Sequence, residues 1–334
     1  MKKRMLSIMG VAVAVGLWSA YRNSKYPILK EYGIINKFFM PAGLLSPFLI
    51  GIGNKKIQKM KHPKLPEGLV KKTKWITSKE NSRVRMTIYE PQSVTENLPC
   101  LIYYHGGGFC FEDASYIHGN VLEYAKAANC KVIFPHYITS DKAPFPAPFW
   151  DCCSTLQYVW DNSEELGIDR NRIAVGGDSA GGALAAACSL WARDQGEIKI
   201  CFQLLIYPVT DSRMETKSMK KYIDSPLWNA KLNRKMWQLY LRNGDCEQNA
   251  YAAPMLAEDF TRLPPTYVEV EEFDCLHDEG LAYANALREA GCSVQIEDVK
   301  GTFHGFDVFQ KAEKTKQMIK IRGEALYSAF WKRK

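Results

Sequence analysis

Arg172-Ile-Ala-Val-Gly-Gly-Asp-Ser-Ala-Gly-Gly-Ala-Leu-Ala-Ala-Ala187 is the stretch that decides the fold of this chain. Its apolar run, Ile173-Ala-Val175, predicts a buried strand, and its alanine-rich end predicts a helix. Between them, Gly177-Asp-Ser-Ala-Gly181 is a G-x-S-x-G pattern, which in this context places Ser179 on a tight turn with its hydroxyl above the edge of the sheet. The residues two before and two after the serine must be small, because the strand reverses there into the helix. The alternative is a glycine-rich turn with an incidental serine, and the rest of the chain decides between them.

The composition indicates one large, ordered α/β domain. The chain has 334 residues, of which 46% are hydrophobic and 24% are charged, so a sizeable core is available. The net charge of +8 is concentrated in residues 2–4, 55–74 and 331–334, which favours contact with anionic surfaces. No stripe combines basic with aromatic residues, and we therefore exclude nucleic acid as a partner.

The cysteines predict a reduced core rather than a metal centre. There are ten, scattered singly apart from Cys152-Cys153, and no C-x-x-C pair occurs. Several, such as Cys100 and Cys188, stand in apolar surroundings that suit a small core residue. We therefore predict no metal ligands, and the pattern favours a reducing compartment.

Residues 1–22 form an apolar N-terminal segment behind a basic head. Lys2-Lys-Arg4 precedes the apolar run from Leu6 to Trp18, as in a secretory signal, but no small-x-small cleavage site follows. The run needs residues 19–21 as well to reach the length of a membrane span. Three interpretations stay open: an uncleaved anchor through residues 6–21, a cleaved signal, or a helix of a cap. The chain is accordingly either membrane-anchored or cytoplasmic.

Residues 23–70 are predicted to form an N-terminal cap and linker. Pro41 and Pro47 interrupt the apolar stretch from Phe38 to Ile50, so we expect short helices that cover an active site. A lysine-rich linker follows and leads into the remainder of the chain, which we expect to be catalytic.

Residues 71–334 alternate strands with helices and define the fold class as α/β. This alternation predicts a mostly parallel central sheet with helices on both faces. The first two strands, Thr73–Ser78 and Arg83–Tyr89, are short enough to pair as antiparallel neighbours. Residues 211–250 break the rhythm and are predicted to be a helical insertion that belongs to the cap.

A serine hydroxyl becomes a nucleophile only beside an imidazole that is held by a carboxylate. The last two predicted strands should each end in one of these partners, because the carboxyl ends of parallel strands meet at one edge. The loop after the last strand holds His304. The loop after the strand before it offers four acids: Glu271, Glu272, Asp274 and Asp278. We favour Asp274, which lies just before a helix, although an aspartate there also suits a helix N-cap.

Backbone amides are needed to stabilise the oxyanion that forms when a serine attacks an ester. We expect one from Ala180, directly after the nucleophile, and others from Gly106, Gly107 and Gly108, which follow a buried strand. Three glycines also suit a phosphate cradle. However, no Lys-Ser/Thr pair follows and the order is not G-x-G-x-x-G, so we predict no nucleotide cofactor, and no other cofactor is indicated.

Two motifs carry a family resemblance, His105-Gly-Gly-Gly-Phe109 and Gly177-Asp-Ser-Ala-Gly-Gly182. Through them the chain resembles the hormone-sensitive-lipase-like carboxylesterases of the α/β-hydrolase fold, over about residues 73–330. The resemblance implies hydrolysis of short- to medium-chain acyl esters beneath a helical cap. It also implies roles for individual residues: a triad of Ser179, Asp274 and His304, oxyanion donors at Gly107, Gly108 and Ala180, and support from His105 and Asp178.

Two departures from the family pattern stand close to these motifs. Cys275 occupies the position where the family usually has a proline, and Tyr137-Ile-Thr-Ser-Asp-Lys-Ala-Pro144 differs from its usual Tyr-Arg-Leu-Ala-Pro-Glu. A lipase of long acyl chains and a deacetylase of sugar esters remain alternatives within the enzymes. A ligand receptor on the same scaffold is the alternative outside them, and such proteins typically lack the histidine that is present here as His304.

Overall fold

The computed structural model describes residues 16–92, 96–244 and 249–332. Its centre is a single eight-stranded sheet. The strands are β1 (Leu69–Thr77), β2 (Arg83–Pro91), β3 (Leu98–Tyr104), β4 (Lys131–His136), β5 (Ile168–Asp178), β6 (Phe202–Ile206), β7 (Thr266–Glu271) and β8 (Val294–Val299).

The strand order is β1-β2-β4-β3-β5-β6-β7-β8. β1, β2 and β4 pair antiparallel, whereas every other neighbouring pair is parallel. The predictions of a mostly parallel sheet and of an antiparallel first pair are therefore confirmed. β3 and β5 are adjacent near the middle, with Tyr104 opposite Gly177, so the glycine loop and the serine turn leave the sheet side by side.

Nine helices accompany the sheet in the described part of the chain. They are α1 (residues 16–25), α2 (Pro47–Ile57), α3 (Ser115–Ala127), α4 (Ala147–Asp161), α5 (Ala180–Gln195), α6 (Lys217–Lys221), α7 (Ala230–Tyr240), α8 (His277–Glu289) and α9 (Glu313–Trp331). α3 packs on α9, and α4 packs on α5. β3 and residues 173–178 of β5 are buried, as expected for apolar strands covered on both faces.

The N-terminal segment and the 211–250 insertion contact each other. The guanidinium of Arg22 in α1 donates to the main-chain oxygen of Asp224 at 2.8 Å and to its carboxylate at 3.1 Å. Farther along, the amide side chain of Asn229 donates to the main-chain oxygen of Met40 at 3.0 Å. Three short 3-10 helices between α1 and α2, Lys30–Tyr32, Ile35–Lys37 and Ala42–Leu45, agree with the short helices expected there.

Most of the predicted N-terminal anchor, residues 6–15, lies outside the described residues. Within the described ranges, no helix combines the length and the apolar character that crossing a bilayer requires.

Candidate active site

Ser179 occupies a strained turn between β5 and α5. Its φ is +55°, which is rare for a residue with a side chain, and its amide donates to the Ile206 carbonyl at 2.8 Å. The turn depends on glycine at both ends of the pattern. A Cβ at Gly181 would lie 1.9 Å from the Tyr104 carbonyl oxygen, and one at Gly177 would lie 2.3 Å from the Gly181 carbonyl carbon. This close passage of backbones is the local reason why the motif has glycines there.

The structure brings Ser179, His304 and Asp274 together. Nε2 of His304 lies 2.8 Å from the Ser179 hydroxyl oxygen, and Nδ1 lies 2.6 Å from a carboxylate oxygen of Asp274. The other carboxylate oxygen of Asp274 accepts the amide of Leu276 at 2.9 Å, which fixes the carboxylate in the loop after β7. All three side chains are buried, so each hydrogen bond acts in a medium of low polarity.

The other three acid candidates have different partners. Glu271 accepts a hydrogen bond from the Thr302 hydroxyl, and burial together with nearby Glu269 raises its pKa well above the ordinary value. Glu272 accepts the amide of Gly301 at 2.8 Å. Asp278 accepts from the imidazole of its neighbour His277 at 2.9 Å and from the amide of Ser218 at 2.8 Å. Asp274 is therefore the one of the four that meets His304.

Of the four predicted oxyanion donors, one amide already has a partner within the protein. The amide of Gly106 donates to the Asp178 carboxylate at 3.0 Å, which directs it away from a substrate oxygen. The amides of Gly107, Gly108 and Ala180 have no acceptor among the residues described in the structure. Gly107 and Gly108 have φ of +123° and +59°, in the left-handed region that favours glycine. These three amides lie on the two adjacent loops that follow β3 and β5.

His105 and Asp178 support the glycine loop through hydrogen bonds with Gly106. Burial lowers the pKa of His105 to about 4, so its ring is neutral, and Nδ1 lies 2.7 Å from the carbonyl oxygen of Gly106. The ring stacks on that of Tyr137 at 4.3 Å. Burial, and then the negative charge of Asp307, raise the pKa of Asp178 to about 7. Its carboxylate also accepts from the Tyr103 hydroxyl at 3.1 Å.

Behind His304 lies a buried ionic cluster that sequence reasoning missed. The ring of Tyr207 packs edge-on to His304 at 4.7 Å, and its hydroxyl donates to Asp307 at 2.8 Å. Asp307 in turn accepts from Arg322 of α9 at 2.8 Å, and Arg322 also pairs with Glu269. The one sequence signal for this cluster is that Asp307 follows His304 by only three residues. The sequence around Arg322 does not distinguish it from an ordinary charged residue of a terminal helix.

The two departures from the family pattern have local partners in this chain. Cys275 is fully buried, and its carbonyl accepts the hydroxyl of Ser218 at 2.8 Å, which ties the acid loop to the insertion. In the second segment, the Tyr137 hydroxyl donates to the His105 carbonyl at 2.7 Å, and the Ile138 amide donates to Asp151 at 2.8 Å.

One group of side chains outside this site has the donor types of a metal site. The potential ligand atoms of His62, Asp113 and His118 lie within 4.8 Å of one another. Nε2 of His118 lies 2.6 Å from Asp113, and Nδ1 of His136 lies 2.9 Å from its other oxygen. Burial raises the pKa of Asp113, but these two hydrogen bonds outweigh it and the net pKa lies well below the ordinary value. The Asp113 carboxylate is therefore paired by two imidazoles, one on each oxygen.

The sheet order and the serine turn define the class of protein as an α/β hydrolase. A family model described as the alpha/beta hydrolase fold matches residues 101–308. Carboxylesterase NlhH of Mycobacterium tuberculosis is 33% identical over 226 residues, which are 67% of this chain and 71% of that protein. An arylesterase of Saccharolobus solfataricus is 32% identical over 228 residues, or 68% and 74% of the two chains.

A solved structure, a bacterial heroin esterase, superposes with a TM-score of 0.81 at 33% identity and covers 88% of this chain and 94% of its own. The chain belongs to the α/β-hydrolase family, and its relatives place it in the hormone-sensitive-lipase-like branch that the motifs indicated. It is an enzyme of the carboxylic ester hydrolase class.

Proposed function

We propose that the protein is a serine carboxylesterase that works through an acyl-enzyme on Ser179. The supporting observation is that one imidazole, His304, lies within hydrogen-bond distance of both Ser179 and Asp274. Nε2 takes the serine proton as the hydroxyl attacks the ester carbonyl, while Nδ1–H donates to Asp274 and keeps the ring in the required tautomer. His304 then gives the proton to the leaving alcohol.

The second half of the reaction repeats these steps with water. His304 removes a proton from a water molecule, which attacks the acyl carbonyl, and the protonated imidazole returns the proton to the Ser179 oxygen. In both halves the amides of Gly107, Gly108 and Ala180 donate to the carbonyl oxygen as it becomes negative. Each such donor contributes about 3 kcal/mol to the transition state.

Aromatic side chains near the site support an ester with a short to medium acyl chain. The indole of Trp228 lies against the glycine loop, so close that a Cβ added at Gly108 would be only 2.8 Å from it. The same indole is 6.0 Å from the His304 ring, while Phe109 stacks on Tyr240 at 3.8 Å. These rings give the surroundings of His304 an apolar character that suits an acyl chain, and the short to medium length is the one that the family resemblance implies.

The test compares Ser179→Ala with Ser189→Ala in hydrolysis of p-nitrophenyl butyrate. Ser189 is an equally buried serine whose hydroxyl donates within α5 to the Ala185 carbonyl at 3.0 Å. We expect Ser179→Ala to lose turnover by about 10⁴-fold or more, and Ser189→Ala to retain it. Unchanged turnover in Ser179→Ala would exclude the acyl-enzyme.

A series of p-nitrophenyl esters from acetate to palmitate tests the acyl-chain range on the unmodified enzyme. We expect kcat/KM to be highest between two and eight carbons and to fall beyond. A maximum at sixteen carbons would instead identify a lipase.

A further inference from the structure

The N-terminal part of the chain exposes an unusual amount of apolar surface. Seventeen large apolar side chains are exposed in the described residues, and thirteen of them lie between Leu17 and Leu65. The most exposed are Phe48 at 76%, Ile34 at 69%, Leu17 at 68% and Phe38 at 62%. Single exposed apolar residues are ordinary in water, but a concentration in one short part of the chain marks an interaction surface. We call the exposed apolar side chains of residues 17–21, 34–40 and 44–52 the N-terminal apolar surface.

These three segments are adjacent in space. The indole N–H of Trp18 in α1 donates to the Lys37 carbonyl at 3.0 Å, and the guanidinium of Arg22 donates to the Asn36 carbonyl at 2.8 Å. The 3-10 helix Ala42–Leu45 leads directly into α2 and contacts it. The exposed apolar side chains are therefore carried by adjoining segments rather than by distant parts of the fold.

Helix α2 presents apolar side chains outward in its first half. Its outward side chains include Phe48, Leu49 and Ile52, whereas the polar Asn54 faces inward. The Asn54 side chain donates to the Cys110 carbonyl and accepts the amide of Glu112, both at 3.0 Å. A water-facing helix presents polar residues outward, so the first half of α2 suits an apolar environment, and the exposed lysines 55 and 56 follow in its second half.

The charge around this surface is strongly positive. Residues 16–66 contain nine lysines and arginines and a single acid, Glu31. The carboxylate of Glu31 accepts the amides of Glu313 and Lys314 at the start of α9, and is thus directed away toward that helix. Lys37 and residues 55, 56 and 59, all lysines, are exposed and have no carboxylate partner in the described part of the chain.

We propose that the N-terminal apolar surface docks on the surface of an anionic phospholipid bilayer. Aromatic and aliphatic side chains would enter the boundary between headgroups and acyl chains, and the surrounding lysines would contact anionic headgroups. Each lysine near such a membrane contributes about 1 kcal/mol. This docking uses folded residues 17–60 and lies in the plane of the membrane, so it differs from an anchor through residues 6–21.

The experiment is sedimentation of the full chain with vesicles of phosphatidylcholine alone or with 30% phosphatidylglycerol added. We expect binding to the anionic vesicles that weakens as salt rises, and weak binding to the neutral ones. The double variant Phe38→Ser, Phe48→Ser should lower the partition coefficient by about tenfold for each ring, since each loses roughly one buried phenyl group. Because sedimentation does not require catalysis, the result is independent of the esterase proposal.

The matched control is Trp75→Ser with Tyr327→Ser, which removes exposed apolar side chains of β1 and α9. It should bind as the unmodified chain does. A second variant, with glutamate at positions 55, 56 and 59, should bind anionic vesicles no better than neutral ones.

Three results would overturn the proposal. One is an unmodified chain that does not sediment with anionic vesicles. Another is a double phenylalanine variant that binds undiminished, which would leave the binding to residues 1–16. The third is loss of a dimer in the double variant without any vesicle binding, which would show that a second copy covers the surface.

Discussion

Asp178→Asn tests the electrostatics beneath the glycine loop. The buried Asp178 carboxylate accepts hydrogen bonds from Gly106 and Tyr103, and its burial raises its pKa from an ordinary 3.8 to about 7. Because the pKa of Asp178 is higher in the folded protein than in the unfolded one, the folded protein carries a proton on this carboxyl between about pH 4 and pH 7, whereas the unfolded chain does not. The stability this group contributes is therefore complete below about pH 4 and is lost as the pH rises through about 7.

The size of this effect follows from the two pKa values. A difference of about three pH units corresponds to about 4 kcal/mol of unfolding free energy. Asparagine keeps a carbonyl oxygen to accept the same two hydrogen bonds and cannot ionise. The unfolding free energy of Asp178→Asn, relative to the unmodified protein, should thus increase by about 4 kcal/mol between pH 4 and pH 8.

Urea denaturation followed by tryptophan fluorescence at pH 4, 5, 6, 7 and 8 measures this difference. Asp161→Asn, which removes an exposed carboxylate at the end of α4, is the matched control. Parallel stability curves for Asp178→Asn and the unmodified protein would refute the reasoning, because a carboxyl that titrates identically in the folded and unfolded states adds no pH dependence.

Three further substitutions test the site and its surroundings. Asp274→Asn should lower kcat by about 10⁴-fold with little change in KM, because His304 loses the partner that fixes its tautomer; an unchanged kcat in a steady-state assay would remove Asp274 from the proposed triad. Arg322→Met should destabilise the fold by about 3–5 kcal/mol, since it leaves the buried carboxylates of Glu269 and Asp307 without their cationic partner. Urea denaturation measures this loss, and an unchanged unfolding free energy would contradict it. Gly181→Ala should abolish soluble, active enzyme, whereas Gly51→Ala, where nothing lies within 4 Å, should preserve it, as measured by expression and butyrate hydrolysis.

Local patterns and chain order were enough to predict the sheet and the meeting of three side chains. Ser179, Asp274 and His304 each follow a strand, and parallel strands end at one edge, so their proximity follows from topology. The strained turn at Ser179 is likewise predictable from nearby residues, because Gly177 and Gly181 allow the backbone of the turn to pass close to that of β3.

The remainder of the site depends on contacts that no local pattern encodes. Gly106 could not be told from Gly107 and Gly108 by composition, because what removes its amide from use is Asp178, 72 residues later. The pairing of Arg322 with Glu269 joins residues 53 positions apart and depends on how α9 packs. A buried charge of this kind looks, in sequence, like any charge on an amphipathic helix.

The contacts of Arg22 with Asp224 and of Asn229 with Met40 join segments that are about 200 residues apart in the chain. Each segment therefore supplies hydrogen-bond partners to the other. A chain shortened from its start to beyond residue 40 would remove the partners of Asp224 and Asn229, while the hydrogen bond from Ser218 to Cys275 would still hold the beginning of the insertion. The part of the insertion that loses partners adjoins Trp228, whose indole lies against the glycine loop. The choice of starting residue in an engineered form of this enzyme therefore bears on the surroundings of its active site.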